Sequence, residues 1–296
     1  METKLASFVK VPIVQELARE KLATVPPRYH YRPDNDHLIL SDPSSFPEIP
    51  VINMTSCIKL PKNGASFSLL SIIRRCYFYL LLLLQLINHG VESEVIETMK
   101  TEIQEFFHMS MEEKNKFKQE AGDVEGYGQH FVVSDEQKLD WADMFYLVTS
   151  PTYSRKPHLL PKLPPTFRDA IEAYSAQVKI LAMKILIQMA KALHLKAEEM
   201  KTRYSKRPSN QERWSLDSYC DEWCLSEDRA TVNAKKERLS IATFHTPTLD
   251  CDIGPAPSLV APETPAKFRR TTVDDYYKGF FSRELYGKSY LGTFRI

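Results

Sequence analysis

Three things are scarce in this sequence, and each scarcity removes a class of function. Cysteine occurs only as Cys57, Cys76, Cys220, Cys224 and Cys251, an odd number without Cys-x-x-Cys pairs, which excludes a disulfide framework and the common zinc motifs. Cys220 and Cys224 are spaced as helical neighbours, but no histidine or further cysteine stands near them, so no metal is expected there. A reducing compartment follows. Excess charge is also missing: 39 basic residues face 38 acidic ones, for a formal net charge of +1. No segment interleaves basic and aromatic residues, so nucleic acid is not an expected partner. Long apolar runs are the third absence. The one run that suggests a membrane, Cys76 to Ile87 (CYFYLLLLLQLI), is twelve residues long, short of the roughly 20 that span a bilayer. A buried strand or core helix is expected from it. Met1 to Lys10 lacks the apolar core of a cleavable signal, and a cytoplasmic location is expected.

What remains is 296 residues, enough to bury a full core as one large domain or two smaller ones. Val14, Leu17, Ala18 and Leu22 keep helical spacing, and Pro26, Pro27, Pro33, Pro43 and Pro47 then forbid regular structure. Ile49 to Ile52 reads as a short strand. Gln85 to Val91 reads as a buried strand with a turn at Asn88-His89-Gly90. Val95, Met99, Ile103 and Phe106 predict a helix over 92–107, and Ser110 with Glu113 forms a capping box that starts the next one. Gly122, Gly126 and Gly128 predict a loop, followed by a short apolar segment at Trp141, Met144 and Phe145. The clearest helix starts at a Thr166–Asp169 cap and continues through Phe167, Ile171, Tyr174, Val178, Leu181 and Ile185 to about Leu195. Ser205 to Glu227 shows no sustained period. Prolines from Pro255 to Pro265 predict an extended loop, and Val273 to Leu285 a closing helix.

The chemically pointed stretch is Asp228 to His245. Arg238 to Phe244 alternates in character, and in a strand Arg238 and Ser240 share a face, roughly 7 Å apart at Cα. A guanidinium fork and a hydroxyl so placed converge on one carboxylate. Asp228 to Val232 reads as a second strand, joined through Asn233-Ala234-Lys235 into a hairpin. A three-residue loop sets Ala230 against Arg238 and Asp228 against Ser240; a four-residue loop turns Asp228 away. Taken alone, Arg238 reads equally well as a surface arginine paired with a nearby acid.

Seven motifs then place the chain: IPVIN at Ile49, QLINHGV at Gln85, EGYGQ at Glu125, LDWADMF at Leu139, ERLSIATFH at Glu237, IGPAPSLVAPETPA at Ile253 and GKSYL at Gly287. On these the chain resembles the plant 2-oxoglutarate- and Fe(II)-dependent dioxygenases of specialised metabolism, in the senescence-related and alkaloid O-demethylase branch. The resemblance covers roughly Val11 to Tyr204, without the stretch near Cys57 to Tyr79, and Asp228 to Ile296. It implies an α+β fold, with N-terminal helices packed on a double-stranded β-helix, or jelly roll. It implies Fe(II) and 2-oxoglutarate as cofactors, a small plant metabolite as substrate, and hydroxylation or O-demethylation as the reaction. It also implies that Arg238 and Ser240 hold the far carboxylate of 2-oxoglutarate.

The iron ligands implied by the resemblance are a His-x-Asp pair and a second histidine, the facial triad that leaves positions open for the keto acid and O₂. None of His30, His37, His89, His108, His130, His158, His194 and His245 is followed two residues later by aspartate. The third ligand falls on Asp228. His89 stands in the Asn-His-Gly turn, where its role is structural, and His245 ends the Arg238 strand at a barrel rim. No catalytic residue and no metal site are therefore assigned. Three regions are expected: 1–204, the helical N-terminal dioxygenase region; 205–227, an aberrant junction too short for the central β-helix strands; and 228–296, a remnant of the C-terminal domain. The expected chain is a truncated family member that has lost the reaction. A metal-free binding protein and a non-functional truncated or mis-spliced product are the alternatives.

Overall fold

The computed structural model describes residues 9, 11–20, 22, 24–29, 51–55, 85–192, 194–195, 211–219, 223–224, 229–230, 237–282 and 287–296. In chain order the elements are α1 (Val14–Arg19), β1 (Val51–Asn53), β2 (Gln85–Ile87), α2 (Ser93–His108), α3 (Met111–Asn115), β3 (Gly126–Gly128), β4 (Asp143–Ser150), α4 (Pro165–Ala192), β5 (Gln211–Tyr219), β6 (Trp223–Cys224), β7 (Arg229–Ala230), β8 (Arg238–Thr246), β9 (Asp252–Ile253), β10 (Thr271–Thr272) and α5 (Val273–Phe281), with a 3₁₀ segment over Gly287–Phe294. The chain is mixed helix and strand, as expected. It divides into two units: Met1–His37, Ile103–Pro164 and Ser209–Ile296 form one, Leu38–Glu102 and Pro165–Pro208 the other.

In the second unit β1 and β2 pair in parallel, Val51 opposite Gln85 and Asn53 opposite Ile87. Gln85 to Ile87 was expected to be buried, but Gln85 is exposed and Ile87 is 40% exposed; among the described residues β1 is the one strand paired with it. The following turn has Asn88 and Gly90 at φ 51° and 82°. There the His89 Nδ1 accepts a hydrogen bond from the Val91 N–H at 3.1 Å. Helix α4 buries Phe167, Ala170, Ile171 and Ala190 while Ile180 is exposed. Its start differs from expectation. Pro165, whose missing N–H costs nothing in the first turn, opens the helix, and the Thr166 hydroxyl donates to the Glu102 carboxylate at 3.0 Å. The helix closes where His194 turns left-handed at φ 55° and the Leu195 N–H returns to the Ala190 carbonyl at 2.8 Å, an αL-type stop.

The first unit is built on a four-stranded antiparallel sheet ordered β3-β4-β5-β8. Two expectations fail here. Gly126 and Gly128 belong to a strand rather than a loop, and their φ values of 122° and 151° explain why glycine is needed. A Cβ on Gly126 would meet the Gln119 backbone at 2.6 Å. The second failure lies in Ser205 to Glu227, where no strand was expected: β5 sits in the middle of the sheet, bonded to β4 on one side and β8 on the other. Trp214 and Leu216 do alternate with Arg213, Ser215 and Asp217, but two apolar positions are too few to declare a strand; two neighbours supply the backbone partners instead.

The expected hairpin is corrected by the same pairing. Strand β8 runs antiparallel to β5, Arg238 opposite Tyr219 and Ser240 opposite Asp217. The segment expected to face it, Arg229–Ala230, pairs with Trp223–Cys224. Asp228 lies outside the described residues, as do Leu80 to Leu84 of the apolar run. Among the described residues, no helix is long and apolar enough to cross a membrane.

Aromatic rings form the core on one face of this sheet. Phe106 stacks on Phe145 with centroids 4.4 Å apart and meets Phe117 and Tyr127 edge-on at 5.9 Å. Phe106, Tyr127 and Phe145 have no exposed surface. The short helix α3 is set against them by the capping box that the sequence predicts: the Glu113 N–H donates to Ser110 Oγ at 3.2 Å and the Ser110 N–H to Glu113 Oε2 at 3.1 Å. Helix α5 is capped by the Thr272 hydroxyl, which accepts from the Asp275 N–H at 3.0 Å.

Candidate functional site

The pairing of β8 fixes what its side chains can do. Directly opposite residues in an antiparallel ladder point to one face, so the register carried through β5 sets Gly128, Met144 and Ser240 on one face and Tyr127, Phe145 and Ile241 on the other. Arg238 and Ser240 therefore lie on the face of Met144 and Tyr146, away from the Phe106–Phe145 core. Both are half-buried. The strand thus brings a guanidinium and a hydroxyl to one sheet face at the entry of β8, the arrangement a carboxylate would bridge. His245 alternates to the opposite face.

The core face holds a polar cluster that sequence reasoning missed. The Asp143 carboxylate, 1% exposed, accepts the Val14 N–H and the Gln15 N–H, each at 2.8 Å, and so caps α1 from far along the chain. Gln15 Oε1 in turn accepts from Lys114 Nζ and from the Tyr127 hydroxyl, and Lys114 also donates to the Phe107 carbonyl at 2.9 Å. Burial pushes Asp143 up to about 6, against the two N–H bonds and the nearby Lys114 charge. Burial also draws Lys114 below the usual lysine range and raises Tyr127. Every member has a partner, so the cluster fixes structure. The aspartate of the LDWADMF motif was the available signal, but nothing local to it points to residues 14 and 15.

Two further buried polar groups follow the Gly-x-Gly strand. The Glu125 carboxylate accepts the Val148 N–H at 2.8 Å, next to the register shift between Val148 and Ser150. His130 is 9% exposed and lies beside the backbone of Gly126 and Gly128. Its ring lies 6.0 Å from those of Phe131 and Tyr146. Burial pushes the imidazole down to about 4, while the nearby backbone of Gly126 and Gly128 pulls the other way. Phe131 takes the left-handed conformation at φ 61° and stacks on Phe281 of α5 at 4.8 Å.

Among the described residues the set that would hold iron is not assembled. No His-x-Asp occurs in the sequence, and among the described residues no group of three or more His, Cys, Asp or Glu is gathered as a metal ion requires.

Comparison with known proteins settles the class. The crystal structure of JOX2 in complex with 2OG, Fe and JA superposes with a TM-score of 0.78 at 21% identity, covering 97% of this chain and 98% of that one, so the two share a fold. The family profile described as non-haem dioxygenase in morphine synthesis, N-terminal, matches residues 81–166. Oxoglutarate-dependent flavonoid 7-O-demethylase 1 of Ocimum basilicum is 42% identical, with 97% of this chain and 92% of that protein covered. Thebaine 6-O-demethylase of Papaver somniferum is 34% identical, with 99% and 98% covered. The chain belongs to the plant 2-oxoglutarate- and Fe(II)-dependent dioxygenase family. The alignment with the Ocimum protein runs over 348 positions against the 296 residues of this chain, so at least 52 of those positions have no counterpart here.

Proposed function

We propose that this chain is a family member that has lost the iron-dependent oxygenation of a small plant metabolite and keeps the carboxylate-binding strand. The observation that carries this is a contrast within one site: Arg238 and Ser240 stand on one face of β8, while the sequence offers no His-x-Asp to complete it. The reaction class lost is the one the relatives' names describe, O-demethylation or hydroxylation of a specialised metabolite coupled to 2-oxoglutarate. The missing positions fall in this reading at the 205–227 junction, between the N-terminal region 1–204 and the remnant 228–296, leaving a truncated jelly roll with Asp228 at the place of the third ligand. Loss of the block would also remove part of the substrate pocket.

Arg238 and Ser240 alone hold a dicarboxylate weakly, since a partly exposed charge contact contributes about 0–1 kcal/mol and no metal chelates the keto acid. The test is succinate formation from 2-oxoglutarate by the purified chain supplied with Fe(II), ascorbate and O₂. None above the protein-free rate is expected, and Asp228→His should not restore it, because two ligands would still be missing. Succinate release that Arg238→Ala abolishes would overturn the proposal.

A second reading is favoured by the gap of at least 52 positions: the chain is a truncated product without function. It predicts no cooperative thermal transition and strong binding of a hydrophobic dye, whereas the first reading requires a folded chain.

A further inference from the structure

Two anchors of different chemistry hold the N-terminal segment to the rest of its unit. At one, the Arg28 guanidinium donates to the Ser134 and Gln137 carbonyls, the Arg28 carbonyl accepts the Leu139 N–H, and the Tyr29 ring meets Trp141 edge-on at 5.0 Å. None of these contacts uses a carboxylate. At the other, residues 11–20 rest on Asp143: Oδ1 accepts the Val14 N–H and Oδ2 the Gln15 N–H, each at 2.8 Å, while Gln15 Oε1 accepts from Lys114 and Tyr127. Ile13, Val14 and Asp143 are 3%, 5% and 1% exposed, so this anchor is closed to water. Val9, Val11 and Ile13 also line a cleft with Gln119, Tyr127 and Gly128. The charged and titratable groups around Asp143 are Lys114 of α3, Tyr127 of β3, and Glu16, Arg19 and Tyr29 of the N-terminal segment; Glu237, which precedes β8, acts on Lys114.

We propose that residues 11–20 are a strap that opens as a unit while the Arg28 anchor stays in place, and that the Asp143 carboxyl is its proton-operated latch, closed when protonated and loosened when ionised. Under the closed strap an ionised Asp143 is cut off from water, and two N–H groups and the Lys114 charge do not make good that loss. Burial therefore raises the group from 3.8 to about 6. Once the strap lifts, the carboxylate regains water and its ordinary acidity. The contribution of the latch is thus fully present below pH 3.8 and is lost as pH rises through 6. A displacement of about two pH units makes opening on the order of a hundredfold easier at the alkaline end. Opening takes one side from the cleft and uncovers Tyr127, which is otherwise wholly enclosed. The inference is independent of iron and 2-oxoglutarate.

The experiment follows amide hydrogen exchange of the full-length chain between about pH 4 and pH 7, each rate corrected for its intrinsic pH dependence. Protection of Val14, Gln15 and Leu17 should fall roughly fiftyfold across that range, less than the full effect because the open form is already partly ionised at the acid end. Leu139 at the second anchor, and Ile103 and Phe106 of α2, should not follow. Asp143→Asn, which cannot ionise, should abolish the pH dependence at Leu17. Should that variant not fold, the contrast between Leu17 and Phe106 in the parent chain decides. Protection that falls equally in α1 and α2, protection of Leu17 that does not change with pH, or a dependence that survives in Asp143→Asn overturns the proposal.

Discussion

The two faces of the β3-β4-β5-β8 sheet differ in completeness. On the core face, aromatic rings close on one another without exposed surface, and Asp143, Gln15, Lys114 and Tyr127 pair off among themselves. On the other face Arg238 and Ser240 are only half-buried, and Phe244 is 49% exposed. The difference teaches that the parts that fold this unit and the parts that would do its chemistry are separable. In the proposed reading, family membership survives in the first, and the loss of the iron site falls on the second.

The sharpest way to test that separation is to damage each face in turn. Phe106→Ala should cost about 3–5 kcal/mol, read as a shift in the denaturant midpoint, whereas Phe244→Ala, at a position 49% exposed, should cost under about 1 kcal/mol. Comparable losses would break the comparison. Asp143→Ala should cost about 1–3 kcal/mol, because it leaves the Val14 and Gln15 N–H groups without their acceptor; the same midpoint measures it, with faster amide exchange confined to α1.

Acidity distinguishes the faces by sign. Asp143, raised from 3.8 to about 6, contributes stability that is fully present below 3.8 and is lost as pH rises through 6. His130, lowered from 6.5 to about 4, contributes stability that is present above 6.5 and is lost as pH falls through 4. Asp143→Asn leaves the histidine dependence, so its stability should rise from pH 4 to 6.5. His130→Gln leaves the aspartate dependence, so its stability should fall from pH 4 to 6. Denaturation midpoints across that range with parallel slopes for the two variants would contradict the assignment. The smallest effect is expected on the Arg238 face, where Arg238→Ala should change stability by no more than about 1 kcal/mol.

How far the sequence could be read follows from how local each signal is. The Ser110–Glu113 box, the α4 periodicity and the alternation of β8 are written within a few residues, and each is found where it was expected. The partner of β8 was missed because Gln211–Tyr219 gains its strand character from two neighbours rather than from its own pattern. Thr166 has the chemistry of a cap, yet Pro165 starts the helix and the hydroxyl goes to Glu102. The acceptor that caps α1 is Asp143, 129 residues from Val14, a contact that no local spacing encodes. On the Arg238 face, the alternation of Arg238 and Ser240 was visible in the sequence, whereas His130 was visible only as a histidine not followed by His-x-Asp spacing. Its enclosure comes from Phe131, Tyr146 and the side-chain-free strand beside it.

The central claim, that the ligand face has lost its iron, is tested most directly by anaerobic titration of the metal-free chain with Fe(II) in the presence of 2-oxoglutarate. The account predicts no stoichiometric iron after desalting and no visible charge-transfer band. One iron per chain together with such a band would contradict it, and would show that residues other than a His-x-Asp pair have rebuilt the metal site.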